Sequence, residues 1–405
     1  MSVALHPKDI KKGIHKNRAA EPFWCSRYRF SPYQNCEHGC IYCDGRAERY
    51  YSPGAFENDI TVRRNLPEIM AEELSGLRER GIISGGSGVS DIYQPAEAEL
   101  KLTRQCAEVI LQADMPAAVA TKSSLALRDL DLWGKVAGNR GFIFMMSLVT
   151  DHDDIRSIWE PGASPVDERI DTLKAFKEAG AATGVLAMPL LPGICDSDED
   201  IKRLFSRLRD IGVEFIIPGG LTLRPGRQKD RYINELEIHR PDLRPLYRDL
   251  YAESRPSGSP IASYGRDLQQ RCSSILDALE IPVLIPHRVF APMMGPADQL
   301  HILFWHMRDL YAARGKDTRR LVTAAKRYAI WLDEQRKTFN RRRSLEPGHV
   351  DLQLRFLAES GDLGRALGND KLAAFACRVI LEQEIFDYQS LQLLPGKDTT
   401  IEKPS

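Results

Sequence analysis

The feature that most constrains this 405-residue chain is a sixfold alternation of short apolar runs with amphipathic helical patterns. The runs suit buried parallel strands, because they lack the polar alternation of a half-exposed sheet. Strands that alternate with helices predict right-handed crossovers, and six such units predict an α/β fold built as an open or partial (β/α)6 barrel. The predicted strands are Phe23–Tyr28, Ile82–Ser84, Ala117–Thr121, Phe142–Leu148, Thr183–Leu191 and Val213–Ile217.

The segments between these runs carry helix start and stop signals. Ser164 is predicted to cap a helix that has Pro165 at its first position, and Ser197 is predicted to cap the next one, ahead of three acidic residues. Ligands of such a fold belong at the carboxyl ends of the strands.

The alternation stops beyond Gly226, where helical patterns dominate and four prolines between residues 282 and 296 mark a connector. We therefore predict four segments. They are a basic N-terminal arm at 1–22, a partial barrel at 23–226, a helical extension and connector at 227–295, and a basic, mostly helical C-terminal region at 296–405.

Composition places the chain among ordinary globular proteins, with 56 Lys and Arg balancing 56 Asp and Glu. This balance excludes a uniformly basic nucleic-acid binder, but residues 308–343 hold 12 Lys and Arg against 4 Asp and Glu. The region either binds a polyanion such as a nucleic acid or is a solvated helix face whose aromatic residues pack inward. The longest apolar stretch, at 141–149, is far shorter than the ~18 residues of a membrane helix, so we expect a cytoplasmic protein with no membrane partner.

The strongest local signal is a C-x3-C-x2-C spacing formed by Cys36, Cys40 and Cys43, which we call the cysteine loop (residues 36–43). Thiolates are soft ligands that suit zinc or iron–sulfur clusters. In a four-iron cluster, three protein ligands leave one iron free to bind another molecule, much as catalytic metal sites keep an open position. The alternative is structural zinc held by the three cysteines with His38 or a distant fourth ligand, although a second ligand pair of the usual zinc spacing is missing from the sequence.

The cysteine loop follows the first strand of a six-unit barrel and has Tyr42 before its third cysteine, a combination that resembles the radical S-adenosylmethionine (radical SAM) superfamily. The run from Ser31 to Cys43 is similar to the branch related to spore photoproduct lyase. Further similarity lies in four places: the run 90–95 after strand two, Thr121-Lys122-Ser123 with Arg128-Asp129 after strand three, Glu160-Pro161 with Ser164-Pro165 and Arg169 after strand four, and the run 189–193 at strand five. The resemblance spans about residues 29–224.

This resemblance implies a 4Fe–4S cluster held by Cys36, Cys40 and Cys43, whose open iron binds S-adenosylmethionine. One electron, supplied by an electron-donor protein, would cleave this cofactor to a 5′-deoxyadenosyl radical that abstracts hydrogen from the substrate, with a nucleic acid as one candidate. The remaining implied cofactor contacts are Tyr42 against the adenine, Gly85, Gly86 and Ser87 at the methionine amino group, Lys122 and Ser147 at the methionine carboxylate or ribose, and Arg169 in a fork with the carboxylate.

The chain departs from photoproduct lyases at two positions of the resemblance. Those enzymes carry tyrosine directly after the third cluster cysteine and a hydrogen-donating cysteine near the end of strand two, where this chain has Asp44 and the Gly86–Ser87 pair. We therefore predict that Cys195, after strand five, is the hydrogen-atom donor. The residues Asp91, Tyr93 and Gln94 either bind substrate or brace the cysteine loop. The alternative function is a non-catalytic protein in which zinc or an iron–sulfur cluster staples the loop and the basic region binds nucleic acid.

Overall fold

The computed structural model describes residues 3–86 and 89–396, which divide into two compact units. The first unit comprises residues 3–16, 28–77 and 82–284, and the second comprises 17–27, 78–81 and 285–396, within the described part of the chain. Ser87, one of the predicted cofactor contacts, lies outside the described residues. The predicted four-segment domain division stays a prediction.

The strands of the described residues form two sheets and a short hairpin. In chain order they are β1 (Ala4–Lys8), β2 (His15–Glu21), β3 (Ser26–Phe30), β4 (Tyr33–Gln34), β5 (Asp59–Arg63), β6 (Ile83–Gly85), β7 (Ala117–Thr121), β8 (Phe142–Ser147), β9 (Ala182–Leu190), β10 (Phe215–Gly220), β11 (Ile385–Asp387) and β12 (Gln392–Leu394).

Helices fill most of the remaining described chain. They are α1 (Leu66–Ser75), α2 (Glu97–Leu100), α3 (Leu102–Gln112), α4 (Leu130–Arg140), α5 (Asp153–Trp159), α6 (Val166–Glu178), α7 (Asp198–Asp210), α8 (Arg227–His239), α9 (Arg244–Leu250), α10 (Ala262–Ala278), α11 (His287–Phe290), α12 (Pro296–Ala313), α13 (Arg319–Arg341), α14 (His349–Glu359), α15 (Leu363–Leu367) and α16 (Asp370–Leu381). Short 3-10 helices lie at Asp44–Arg46, Glu48–Tyr50, Ser124–Asp129, Pro241–Leu243 and Ala291–Met293.

Six strands of a seven-stranded sheet follow the spatial order β10-β9-β8-β7-β6-β3, with each neighbouring pair parallel. The order across the sheet follows the order along the chain, as successive crossovers in one direction require. This arrangement confirms the predicted α/β fold and places the six loops that follow the strands at one edge of the sheet.

The first of these strands begins three residues later than predicted. The Glu21 carboxylate accepts hydrogen bonds from the backbone N–H groups of Phe23 and Trp24, at 3.0 and 2.9 Å, and holds a turn where the apolar pattern predicted strand. A local side-chain-to-backbone bond of this kind competes with strand pairing.

The N-terminal segment expected as a basic arm contains regular structure. Strand β1 pairs in parallel with β5, and β5 pairs antiparallel with β4. His6 Nε2 also lies 3.0 Å from Asp59 Oδ1. The backbone bonds of β1 therefore have a partner strand about fifty residues away, which no local pattern in the first twenty residues could reveal.

The core of the first unit lies against the parallel sheet, whose strand β8 is buried along its whole length. The ring of Phe142 stacks on Trp133 of α4 at 4.6 Å, and Phe144 stacks on Phe176 of α6 at 3.8 Å between centroids. Each ring buried in this way contributes about 2 kcal/mol or more to folding. This packing fixes the strand ends that carry the site described below.

The two predicted helix caps have different outcomes. Ser197 caps α7 as predicted, since its hydroxyl accepts a hydrogen bond from Asp200 N at 3.1 Å. The cap predicted at Ser164 is wrong, because α6 begins at Val166 with Pro165 at the capping position. The Ser164 hydroxyl accepts instead from Ser124 N at 2.9 Å, so a tertiary partner replaces the local one.

In the second unit, the basic region is folded into α12 and α13, and its aromatic residues Tyr328 and Phe339 are buried. Arg336 is buried as well, with its guanidinium 2.7 Å from Asp298 and 3.3 Å from Glu79. Arg336 is therefore unavailable to a polyanion. The exposed cations of the region are Arg314, Lys316, Arg319, Arg320, Lys326, Arg327, Lys337, Arg341, Arg342 and Arg343. Across the part of the chain that the structure describes, none of the helices combines the length and the apolar character needed to cross a membrane.

Candidate active site

The cysteine loop leaves β4 and turns tightly back on itself. Cys36 N donates to Phe56 O at 3.2 Å, Gly39 N donates to Cys36 O at 3.3 Å, and Cys43 N donates to Cys40 O at 3.2 Å. Gly39 has φ +62°, a left-handed conformation that glycine adopts without strain. These turns bring the three thiols close enough that a negative charge on Cys40 or Cys43 raises the pKa of Cys36, in addition to the larger effect of burial.

Arg46 fixes the conformation of this loop from the inside. Its guanidinium donates to the carbonyl oxygens of Gly39 at 2.8 Å and Cys40 at 3.1 Å, and forms an ion pair with Glu57 at 2.7 Å. The side chain is buried. A single planar fork therefore satisfies two carbonyls in the middle of the loop and holds Cys40 in place.

The donors near the cysteine loop bear on the choice between a cluster and a single zinc ion. Within residues 3–86 and 89–396, no three His, Cys, Asp or Glu side chains are placed so that they could share one metal ion. A mononuclear zinc site needs its ligands about 2 Å from one point, whereas each cysteine around an iron–sulfur cluster binds a different iron. His38, the proposed fourth zinc ligand, is already engaged, since its Nδ1 lies 2.8 Å from Gly162 O and its Nε2 lies 3.3 Å from Asp91 Oδ2.

Asp91 joins the cysteine loop to the ends of two strands. Its carboxylate faces His38 and accepts hydrogen bonds from Thr121 Oγ1 at 2.7 Å, Tyr93 N at 2.8 Å and Lys122 N at 2.8 Å. Burial alone would raise the pKa of Asp91, but His38 and these donors lower it to about 2. Asp91 is thus a buried carboxylate that braces the loop rather than a group free to bind substrate.

Gln94, in the same run 90–95, also braces the cysteine loop. Gln94 is fully buried, and its side-chain oxygen accepts from Glu37 N at 2.9 Å, while Glu37 in return accepts from Ala96 N at 2.7 Å. Tyr93 is fully buried, and its hydroxyl donates to Asp129 at 3.1 Å and accepts from Trp133 Nε1 at 2.7 Å. Asp91 and Gln94 therefore contact the cysteine loop as braces, whereas the choice between substrate binding and bracing stays open for Tyr93.

Three of the predicted cofactor contacts meet at Glu160, which follows α5. The Glu160 carboxylate accepts a hydrogen bond from the Tyr42 hydroxyl, lies 2.7 Å from Arg169 Nη1 and lies 3.9 Å from Lys122 Nζ. Burial would raise the pKa of Glu160, but the Arg169 and Lys122 charges lower it, so the group is a carboxylate. Burial would likewise lower the pKa of Lys122, but Glu160 raises it, so the amine is charged.

Arg169 and Ser147 are also in contact. Arg169 is fully buried and donates from Nη1 to Ser147 O at 3.0 Å and from Nε to Ser164 O at 2.7 Å. Its Nη2 has no hydrogen-bond partner among the described residues. The partner of Arg169 is thus Glu160, rather than the neighbouring acidic residues of its own helix, and the role predicted for it at a ligand carboxylate stays a prediction.

The two described glycines at the end of β6 differ in what they require. At Gly85, an added Cβ would lie 2.9 Å from Ile92 and from Phe30, so packing within the protein alone excludes a side chain. Gly86 has φ +96° and donates its N–H to Phe30 O at 3.1 Å. Only Gly86 therefore has a backbone conformation that favours glycine, and the cofactor roles predicted for both glycines stay predictions.

Cys195 is buried in the same apolar cluster as Cys40 and Tyr42. Its Sγ accepts a hydrogen bond from Leu191 N at 3.3 Å. Burial raises the pKa of the thiol to about 12, so the sulfur keeps its hydrogen at neutral pH. A protonated thiol is the form that a hydrogen-atom donor requires, and the role of Cys195 stays a prediction.

A parallel α/β sheet with three clustered cysteines in the loop after its first strand defines a class of cluster-binding barrel enzymes. Residues 30–218 match the family model described as the Radical SAM superfamily, so this part of the chain carries a Radical SAM domain. The cofactors predicted from the sequence, a 4Fe–4S cluster and S-adenosylmethionine, are those of the superfamily.

The chain is also similar to several relatives and solved structures. The chain is 27% identical to an uncharacterized protein of Mycobacterium tuberculosis over 282 residues, which cover 68% of this chain and 80% of the relative. An uncharacterized protein of Methanocaldococcus jannaschii is 29% identical over 173 residues, covering 42% of this chain and 63% of the relative. Spore photoproduct lyase complexed with dinucleoside spore photoproduct has a similar structure, with a TM-score of 0.51, 16% identity and coverage of 68% of this chain and 79% of that one. At this level of identity the likeness shows the fold.

Sequence reasoning missed three residues of the site. His38 was considered only as a zinc ligand, whereas Arg46 and Glu160 were not considered as site residues. A charged residue close to a cysteine motif is an available signal for Arg46. Glu160 stands in Glu160-Pro161, which shares in the family resemblance, but its contacts with Tyr42, Lys122 and Arg169 become visible only in the structure.

Proposed function

We propose that this protein is a radical SAM enzyme whose substrate is a nucleic acid. The observation that carries the enzymatic part is the position of Cys40 and Cys43, two of the three motif cysteines, near the charged Lys122 at the carboxyl edge of the parallel sheet. When bound, the 4Fe–4S cluster and S-adenosylmethionine supply reductive cleavage of the sulfonium to a 5′-deoxyadenosyl radical, which abstracts hydrogen from the substrate.

The residues of this chain have separable tasks in that reaction. The three cysteines would hold the cluster, and Arg46 and His38 keep their loop in shape. Lys122 offers a fixed positive charge near Cys40, suited to the carboxylate of the methionine portion. The apolar cluster around Tyr42 and Cys195 limits water, which protects reactive species from side reactions.

The nucleic-acid part of the proposal is supported by the exposed cations of the second unit. Arg320, Lys326 and Arg327 lie on α13, and Arg341, Arg342 and Arg343 lie at its end. Cations that neutralise phosphates release counterions, so binding through them weakens steeply with salt. Affinity for single- and double-stranded DNA and for RNA, measured from low to high salt, tests this. Failure to bind any of them at low salt would remove the substrate class.

Anaerobic reconstitution tests the enzymatic part independently of any substrate. About four irons per chain and release of 5′-deoxyadenosine on reduction would support it. One zinc per chain with no deoxyadenosine would favour the non-catalytic alternative. An electron-donor protein is required by the same proposal, and a chemical reductant stands in for it in this assay.

A further inference from the structure

The Glu160 carboxylate contacts three of the predicted cofactor-binding side chains, those of Tyr42, Lys122 and Arg169. We propose that Glu160 is a positioning residue that holds Lys122 and Tyr42 in the geometry needed to bind S-adenosylmethionine. This inference rests on the proposed function and adds to it a residue that is not a cluster ligand. Glu160 itself is fully buried and follows α5, outside the cysteine loop.

The Glu160 carboxylate balances the positive charges of Lys122 and Arg169. Lys122 and Arg169 are two cations beside one carboxylate, and Arg169 acts to lower the pKa of Lys122, which shows that the two cations repel each other. Glu160 stands between them, 3.9 Å from Lys122 Nζ and 2.7 Å from Arg169 Nη1. Without its charge, the repulsion between the two cations would be uncompensated in a buried region.

The two cations differ in how far each could move if Glu160 lost its charge. Arg169 is held by two backbone carbonyls, at Ser147 and Ser164, and its side chain is completely buried. The side chain of Lys122 is 16% exposed and has a four-carbon stem, so it has a route to solvent. Loss of the Glu160 charge would therefore displace or deprotonate Lys122, the side chain predicted to bind the methionine carboxylate or ribose.

The segment around Glu160 is also tied to the cysteine loop. The Tyr42 hydroxyl donates to the same carboxylate, and Ile41 N donates to Trp159 O at 3.0 Å. Adjacent residues of the two segments are thus joined by a side-chain bond and a backbone bond. The backbone bond does not involve the Glu160 side chain, so loss of the Glu160 charge would weaken the hold on Tyr42 while this tie to the cysteine loop remains.

The test uses reconstituted full-length holoprotein under anaerobic conditions with variant Glu160→Gln, which keeps the shape of the side chain and removes its charge. The measurements are iron per chain, the dissociation constant for S-adenosylmethionine by equilibrium dialysis, and the change in the EPR spectrum of the reduced cluster on adding S-adenosylmethionine. We expect iron content close to that of the wild type, a dissociation constant about tenfold higher and a smaller spectral change.

Asp129→Asn is the matched control. Asp129 is also a fully buried carboxylate, 2.8 Å from Arg128 Nη2 and 3.1 Å from Arg104 Nη1, and it accepts from the Tyr93 hydroxyl. This variant breaks a comparable ion-pair network away from Lys122, so it should lower stability and leave the dissociation constant within about twofold.

Two further variants keep the inference falsifiable. Glu160→Asp retains the charge and should recover part of the lost affinity, and it replaces Glu160→Gln if that protein does not fold. In a Lys122→Met background, Glu160→Gln should cause little further loss, because the two residues act together. Equal affinities in Glu160→Gln and the wild type would overturn the inference, as would equal losses in Glu160→Gln and Asp129→Asn. A wild type that binds neither cluster nor S-adenosylmethionine would instead overturn the proposed function.

Discussion

His38 and Asp91 lie 3.3 Å apart, Nε2 to Oδ2, and join the centre of the cysteine loop to the segment that follows β6. Both side chains are buried, and His38 also lies 2.8 Å from Gly162 O through Nδ1. The loop that would carry the cluster is therefore fixed at a point between its first and second cysteines.

Asp91→Asn should weaken this attachment. The change removes the charge facing His38 and one acceptor among several, which should lower the free energy of unfolding by about 3 kcal/mol. Urea unfolding of the full-length protein measures this. Asp131→Asn, at an exposed carboxylate paired with Arg104, is the control and should change stability by less than about 1 kcal/mol. Similar effects of the two changes would contradict the bracing role of Asp91.

Arg46→Lys should impair cluster assembly. Lysine keeps the charge but lacks the planar fork that binds the carbonyls of Gly39 and Cys40, so iron per chain after reconstitution should fall about twofold or more. Arg64→Lys, at an exposed pair with Asp9, should have no effect on iron content. Full iron content in Arg46→Lys would show that the loop holds its shape without the fork.

Acid should destabilise the second unit through its buried histidines. Burial lowers the pKa values of His287, His301 and His306 to about 4. The folded state therefore binds fewer protons than the unfolded state, so stability is present above about pH 6.5 and is lost as the pH falls towards 4, by up to about 3 kcal/mol for each histidine.

One carboxylate acts in the opposite direction in the same unit. Burial raises the pKa of Asp351 to about 6, so its contribution is present at low pH and is lost as the pH rises through 6. Urea midpoints at pH 7, 6 and 5 should fall with acid, less steeply in His301→Phe and more steeply in Asp351→Asn. A midpoint independent of pH over this range would refute the assignment.

Cys195→Ala tests the predicted hydrogen donor. Iron content and substrate-free cleavage of S-adenosylmethionine should stay at the level of the wild type, because the Cys195 sulfur contacts only Leu191 N within the described hydrogen bonds. Turnover of a nucleic-acid substrate should fall about tenfold or more, and its product distribution should change. Cys106→Ala, at a thiol buried in the main core, should leave the products unchanged. Unchanged turnover and products in Cys195→Ala would exclude it as the donor.

The sequence predicted the sheet well because its central strands are continuous apolar runs. Ala117–Thr121 matches β7 at both ends, and the other central strands differ by one to three residues. Strand β5 was not predicted, since Asp59–Arg63 is a polar-rich run that becomes a strand only through its partners β1 and β4. The hairpin β11–β12 was also not predicted, because each of its strands has only three residues and is too short to show a pattern.

Site residues were predictable only where a motif fixed them. The spacing of Cys36, Cys40 and Cys43 is visible along the chain, and the strand-end position of Lys122 follows from the fold. The role of Glu160 depends on contacts with residues 42, 122 and 169, which tertiary structure alone brings together. The sequence around Glu160 does not indicate these contacts.

The separation of Glu160 from the cysteine loop along the chain has a consequence for biogenesis. During synthesis the three cysteines leave the ribosome well before the segment that anchors Tyr42 and Lys122. Until β8 and α6 have been synthesised, the cysteine loop lacks its contacts with the segment around Glu160. Its thiols can then bind other metals or be oxidised. Stable cluster assembly should therefore follow the synthesis and folding of the segment that contains Glu160, rather than the appearance of the cysteines themselves.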